Sequence, residues 1–153
     1  GMFAPTPPPK KPELPKDLVK LEPGPIDADA PEEYTTTESG LKYRIRRKSD
    51  GRKPLPTDRV RAHYRGTLDN GMMFGSSYGK FGHSEIFSLE GVIPGWVEGL
   101  QLIGEGGMIE LEIPSKLGYG ANGNSDGTIP PDSTLHFIIE LLEIGRPPAE
   151  PAK

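Results

Sequence analysis

The sequence predicts an α+β fold in which an antiparallel sheet with one dry face is covered by one short α-helix. Apolar residues recur at every second position in several separate runs, as in strands that face water on one side only. A single stretch changes to helical spacing. An Asn-Gly pair between two of the alternating runs marks a tight hairpin.

The elements follow in order. Leu41, Tyr43 and Ile45 alternate with Lys42, Arg44 and Arg46, and Val60, Ala62 and Tyr64 alternate with Arg59, Arg61 and His63. Asn70-Gly71 stands between Leu68 and Phe74, where a two-residue turn needs positive φ at both positions. The helix runs from about Pro94 to Ile103. Proline suits its first position, because the missing N–H would be unpaired there anyway. Trp96, Leu100 and Ile103 form its apolar stripe, and Gly104 is placed to end it. Ile109, Leu111 and Ile113 alternate with Glu110 and Glu112. Leu135, Phe137, Ile139 and Leu141 alternate with Thr134, His136 and Glu140. A helix laid across the dry face of such a sheet lets the two bury each other.

This domain occupies residues 38–145 of the 153. Residues 1–37 are proline-rich, from Pro5 through Pro15 to Pro31, and are expected to be extended, because proline fixes φ and has no N–H to give a ladder. They read as a tether, or alternatively as a ligand for proline-recognising modules. Residues 146–153 form a short flexible tail of the same kind. Hydrophobic content is only 33% because these ends are polar.

The composition excludes several chemistries. Without cysteine there is no disulfide, thiol nucleophile or thiolate metal site. A net charge of −4 argues against a general nucleic-acid footprint. The basic run Lys42 to Lys48 reads as a solvated strand face rather than an RNA-binding patch. No apolar run reaches the roughly 20 residues that span a bilayer, so no membrane partner is expected. No signal-peptide core is visible, and a native start at Met2 behind Gly1 leads to an expected cytoplasmic location. By alternation His63 and His136 point to the wet face, and His83 lies in a Gly-rich loop without a partner at metal-ligand spacing. Ser76-Ser77 has no identifiable base. The glycines around Tyr119 lack the lysine and helix of a phosphate loop. What converges instead on the dry face is aromatic: Tyr64, Phe74, Trp96, Tyr119 and Phe137, a set that serves either as plain core or as the lining of an apolar ligand pocket.

Five segments then resemble, in order, the FKBP family of prolyl isomerases. They are Thr37 to Tyr43 with Val60 to Gly66; Asn70-Gly71 with Phe74-Gly75-Ser76-Ser77; Val92-Ile93-Pro94-Gly95-Trp96-Val97-Glu98-Gly99-Leu100; Gly118-Tyr119-Gly120; and Ile129 to Phe137. The resemblance implies a curled antiparallel sheet of five or six strands around one short helix, with a further strand near Ile86 to Leu89. It implies rotation about X-Pro bonds in protein substrates, assisting folding, by a monomer that needs no cofactor and no metal. Trp96 would form the pocket floor, Tyr64, Phe74 and Phe137 its walls, and Val92 and Ile93 its rim. The Ile93 N–H and the Tyr119 hydroxyl would donate to substrate carbonyls, and Ile129 would cover one side. A macrolide immunosuppressant is the implied small-molecule ligand.

The chain departs from the family's pattern at the pocket edge. Many members carry an aspartate after the phenylalanine that matches Phe74, and this chain has Gly75. Glu85 stands where relatives often have an aromatic or small residue, and Asn122 to Thr128 is polar where they often place an apolar or histidine contact. The alternative reading is therefore a weakly active module that binds proline-containing segments. A third reading gives the function to the proline-rich N-terminus.

Overall fold

The computed structural model describes residues 20–145; the first prolines and the C-terminal tail expected from the sequence lie outside the described residues. The strands are β1 (Thr35–Thr36), β2 (Lys42–Arg47), β3 (Arg59–Leu68), β4 (Met73–Ser76), β5 (Glu85–Ser88), β6 (Met108–Ile113) and β7 (Leu135–Ile144). They form one antiparallel seven-stranded sheet in the order β1-β2-β6-β7-β3-β4. β5 also pairs with β3, along Arg59 to Ala62, whereas β4 takes Arg65 to Thr67. The long strand β3 thus has two short partners on one edge. The α-helix α1 (Pro94–Leu100) lies on the dry face.

Alternation identifies the core. Val60, Ala62, Ile109, Leu111, Ile113, Leu135, Ile139 and Leu141 are all buried, with Leu100 and Ile103 of the helical stretch against them. Removing each such aliphatic side chain from water contributes roughly 1.5–3 kcal/mol. Gly95 and Gly99 set the depth of the helix. A Cβ at either would stand 2.7 Å from Ile113 or Leu111 of β6, so only glycine lets the helix backbone lie this close.

Two local expectations are corrected. The helix stops at Leu100 rather than Ile103, because Leu102 N–H bonds back to Gly99 and tightens the last turn. Gly104 is not its cap: a Cβ there would lie 2.2 Å from the Gly51 carbonyl oxygen, so its role is close backbone approach. In the hairpin only Gly71 has positive φ, at 85°. Leu68 N–H donates to Met72 O and Gly71 N–H to Leu68 O, making a three-residue loop with a glycine bulge instead of a two-residue turn.

The larger corrections concern the face expected to be wet. His63 and Glu140 are fully buried and Arg46 is nearly so. Residues 20–34 cross this face, and Thr35–Thr36 pairs with β2, so the stretch expected to give no ladder supplies β1. The proline-rich strap offers carbonyls, and the basic run supplies donors. Arg44 reaches Glu32 O at 2.6 Å, Arg46 reaches Pro31 O at 2.9 Å, and Arg47 reaches Pro25 O at 3.1 Å. Glu110 pairs with Arg44 at 2.8 Å, and Glu140 with Arg47 at 2.6 Å. Arg44, Arg46 and Arg47 of the basic run are therefore an internal clamp, while Lys42 and Lys48 are solvated as expected. His136 does stay at the surface, paired with Asp69 at 2.6 Å.

Candidate functional site

One cavity of about 580 Å³ opens on the dry side of the sheet. Tyr64, Phe74, Gly75, Val92, Ile93, Trp96, Tyr119, Ile129 and Phe137 all line it. The structure thus brings together every residue that the sequence singled out for the site, from β3, β4, the turn before α1, α1, two later loops and β7.

The rings interlock edge to face. Trp96, only 4% exposed, has its centroid 5.5 Å from Tyr64, 5.3 Å from Phe137 and 4.9 Å from Phe87. Phe74 meets Phe137 at 5.4 Å and 85°. Such T-shaped contacts are the favoured geometry of aromatic quadrupoles and fix the rings against one another. Strand register explains the convergence. Tyr64 faces Ile139 and Gly66 faces Phe137, so Tyr64 and Phe137 stand two rungs apart on one ladder and on the same face of the sheet. Gly66 gives Phe74 and Phe137 their room: a Cβ there would stand 2.6 Å from one ring and 2.8 Å from the other.

The polar groups sit at the mouth. Ile93 caps the helix in extended conformation, and its carbonyl accepts from Trp96 and Val97 N–H. Its own N–H has no hydrogen-bond partner among the described residues. Tyr119 is 41% exposed, between two short 3₁₀ turns at Ser115–Leu117 and Gly120–Asn122. The Tyr64 phenol is held above its ordinary pKa, first by burial and then by the neighbouring Glu85 carboxylate, so it remains a neutral O–H. Gly75 places only backbone at the wall, where a Cβ would meet the Tyr64 hydroxyl at 3.2 Å.

Behind β3, on its other face, lies a buried serine and histidine pair. Ser77 Oγ is 2.8 Å from His63 Nδ1 and accepts the Tyr64 backbone N–H at 2.7 Å. Tyr78 stacks on His63 at 5.0 Å. Alternation along the strand turns His63 away from the cavity while Tyr64 faces into it, so this pair holds Tyr64 in place and meets no substrate. Among the described residues, no group of three His, Asp or Glu side chains is arranged to hold a metal ion.

Four further side chains line the cavity: Phe87, Asn124, Asp126 and Thr128. Phe87 carries a signal that the sequence reading passed over, since it stands two residues before buried Leu89 in a strand. The other three lie in a polar loop without periodicity, and only the closing of that loop over Ile129 brings them to the mouth.

A family model for FKBP-type peptidyl-prolyl cis-trans isomerase matches residues 50–142. The chain is 48% identical over 113 residues to the FKBP-type 22 kDa peptidyl-prolyl cis-trans isomerase of Escherichia coli, a match covering 74% of this chain and 54% of that one. It is 45% identical over 115 residues to the isomerase FkpA of Aeromonas hydrophila, covering 75% of this chain and 42% of that one. It spans about half the length of these curated relatives. Among solved structures, FkpA from Escherichia coli superposes with a TM-score of 0.69 at 42% identity, over 74% of this chain and 52% of that one. A peptidyl-prolyl cis-trans isomerase from Pseudomonas syringae superposes with 0.67 at 31% identity, over 76% and 84%. Sheet, helix and aromatic cavity thus agree with extensive sequence identity, and the chain belongs to the FKBP-type peptidyl-prolyl cis-trans isomerase family.

Proposed function

We propose that this chain catalyses cis–trans rotation about X-Pro bonds in polypeptides, assisting their folding, by means of an apolar cavity and a few hydrogen bonds. The observation that carries the proposal is the enclosure of Trp96 by Tyr64, Phe87 and Phe137, an apolar seat of about 580 Å³ with hydrogen-bond donors at its mouth.

The chemistry asks for no more than this. Rotation breaks no σ bond; the barrier of ~18–20 kcal/mol is lost amide resonance. Lowering it by roughly 5.5–7 kcal/mol gives about 10⁴- to 10⁵-fold acceleration. The twisted amide is less polar than the planar one, so an apolar enclosure favours it. In this reading Trp96 lies under the proline ring, while Tyr64, Phe74 and Phe137 hold its sides. Val92 and Ile93 form the rim and Ile129 a cover. The Ile93 N–H and Tyr119 O–H donate to the carbonyls of a bent proline turn, and these bonds raise the rate only so far as they are stronger in the twisted state. We read the chain as acting as a monomer, and a macrolide immunosuppressant as a competing ligand of the same cavity.

The test is X-Pro exchange in a short peptide, followed by NMR with and without protein. Acceleration is expected, and Tyr119→Phe is expected to lower it about two- to tenfold, the value of one neutral hydrogen bond. An unchanged rate removes Tyr119 from the donors. Binding without acceleration establishes instead a proline-peptide-binding module, the reading favoured by the bare wall at Gly75.

A further inference from the structure

Among the cavity-lining residues one side chain carries a full charge, and it is Asp126. The rest are aromatic, aliphatic, glycine, or uncharged amide and hydroxyl groups. A carboxylate at the edge of an apolar seat biases which polypeptide is welcome, because the segment flanking the proline must pass it.

The loop fixes where that charge stands. Asp126 Oδ1 accepts the Thr128 N–H at 3.0 Å and the Thr128 hydroxyl at 2.7 Å. Asn124 donates to Thr128 Oγ1 at 2.7 Å and accepts the Ile129 N–H at 2.8 Å. Ile129 is buried against the core, so the loop is tied to the body of the protein through a cavity-lining residue. Asp126 Oδ2 takes part in none of these bonds, and the residue is exposed. The bonds from Thr128 also hold the carboxyl below its ordinary range, which favours the ionised form. The Glu85 carboxylate lies beside Tyr64, itself a cavity-lining residue, and adds charge of the same sign.

We propose that Asp126 is a specificity-determining residue that makes the cavity prefer segments with a lysine or arginine beside the proline. The inference rests on the isomerase reading and names the substrate class within it. An exposed charge pair is weak, so the preference is about two- to fivefold and not a strict selection. It is screened by salt, since the Debye length is about 10 Å at 0.1 M and about 3 Å at 1 M.

The experiment compares peptides that differ only in the residue before, or only in the residue after, the proline: lysine, norleucine or glutamate. Norleucine has nearly the length of lysine without its charge, so the ratio of kcat/KM for lysine to that for norleucine isolates the electrostatic part. In the wild type the order lysine, norleucine, glutamate is expected in at least one series, contracting toward unity at about 1 M salt. Asp126→Asn keeps an oxygen for Thr128 and is expected to bring the ratio to near one. Equal rates for lysine and norleucine in both series, or a lysine preference that persists unchanged in Asp126→Asn or at high salt, overturn the proposal. Should Asp126→Asn fold poorly, Asp126→Ser decides in its place: contraction of the ratio toward one supports the proposal, and an unchanged ratio overturns it. Failure of the isomerase reading looks different: no peptide, norleucine included, is turned over. The same ratios are then read from dissociation constants and decide the charge preference on their own.

Discussion

At the scale of single residues, the site depends on groups that never touch its cavity. Ser77 is the clearest case. Its hydroxyl takes up the Tyr64 N–H and pairs with His63, all inside the protein. Removing the hydroxyl leaves a buried amide donor without a partner, which costs roughly 1–3 kcal/mol. Ser77→Ala is therefore expected to lower stability by that amount, read from the denaturant midpoint, while Ser125→Ala, at an exposed serine, changes it little. Equal effects at the two serines would remove Ser77 from its role. The sequence showed Ser77 as a serine without a base. The base exists, but it lies on a strand separate in sequence, and neither group reaches the substrate side.

At the scale of elements, the clamp between the strap and the sheet carries a pH dependence. Glu140 of β7 receives Arg47 at 2.6 Å, Tyr78 Oη–H at 2.7 Å and Gly24 N–H at 3.2 Å, with Lys20 at 3.5 Å. Burial alone would push its pKa up; the hydrogen bonds from Arg47 and Tyr78 and the Lys20 charge outweigh that and hold it below the ordinary carboxylate range. The sign follows from linkage. A folded-state pKa below the unfolded value gives stability that is complete above the unfolded value and is lost as pH falls through the folded one. Glu140→Gln is expected to cost about 3 kcal/mol at neutral pH, the lower end for breaking a buried ion pair, because Arg47 still reaches water. The difference from wild type should begin to shrink as pH falls below the ordinary glutamate value of about 4.3 and go on shrinking through the lower folded value. Urea midpoints measured across pH check this; a gap that stays constant into acid excludes the role. On the same face the Tyr34 hydroxyl donates to Glu110 at 2.8 Å, and burial followed by that carboxylate pushes its pKa up to about 12. It therefore remains a donor at any ordinary pH.

At the scale of the whole molecule, the strap is part of the fold. A chain lacking residues 1–34 loses the strap carbonyls that Arg44, Arg46 and Arg47 hold, together with the Gly24 and Lys20 contacts to Glu140. With about 0.5–1.5 kcal/mol for each of several lost hydrogen bonds and several degrees per kcal/mol for a domain of this size, its Tm is expected to fall by about 10 °C or more. Thermal unfolding of the two chains tests it, and an unchanged Tm would return residues 20–34 to the status of a tether. The cavity lies on the opposite side of the sheet from this clamp, so the cavity-lining and the clamped faces of β3 are separate surfaces of one strand. Among the described residues no helix is long and apolar enough to cross a membrane.

The sequence by itself determined which side chains make the dry face, because burial on one side of a strand writes itself as period two. It also marked the helix start at Pro94 and the aromatic set around Trp96. What only the tertiary structure decided is what covers the opposite face and the cavity mouth. His63, Arg46 and Glu140 alternate as solvent residues should, yet they are buried by Tyr78 and by a strap, residues 20–34, whose own sequence carries no apolar period. Asp126 reaches the cavity because its loop folds back on Ile129 through side-chain bonds, and no spacing along the chain encodes that. Period reports the neighbours within an element; cover supplied by a segment distant in sequence and without a period of its own is set by packing alone.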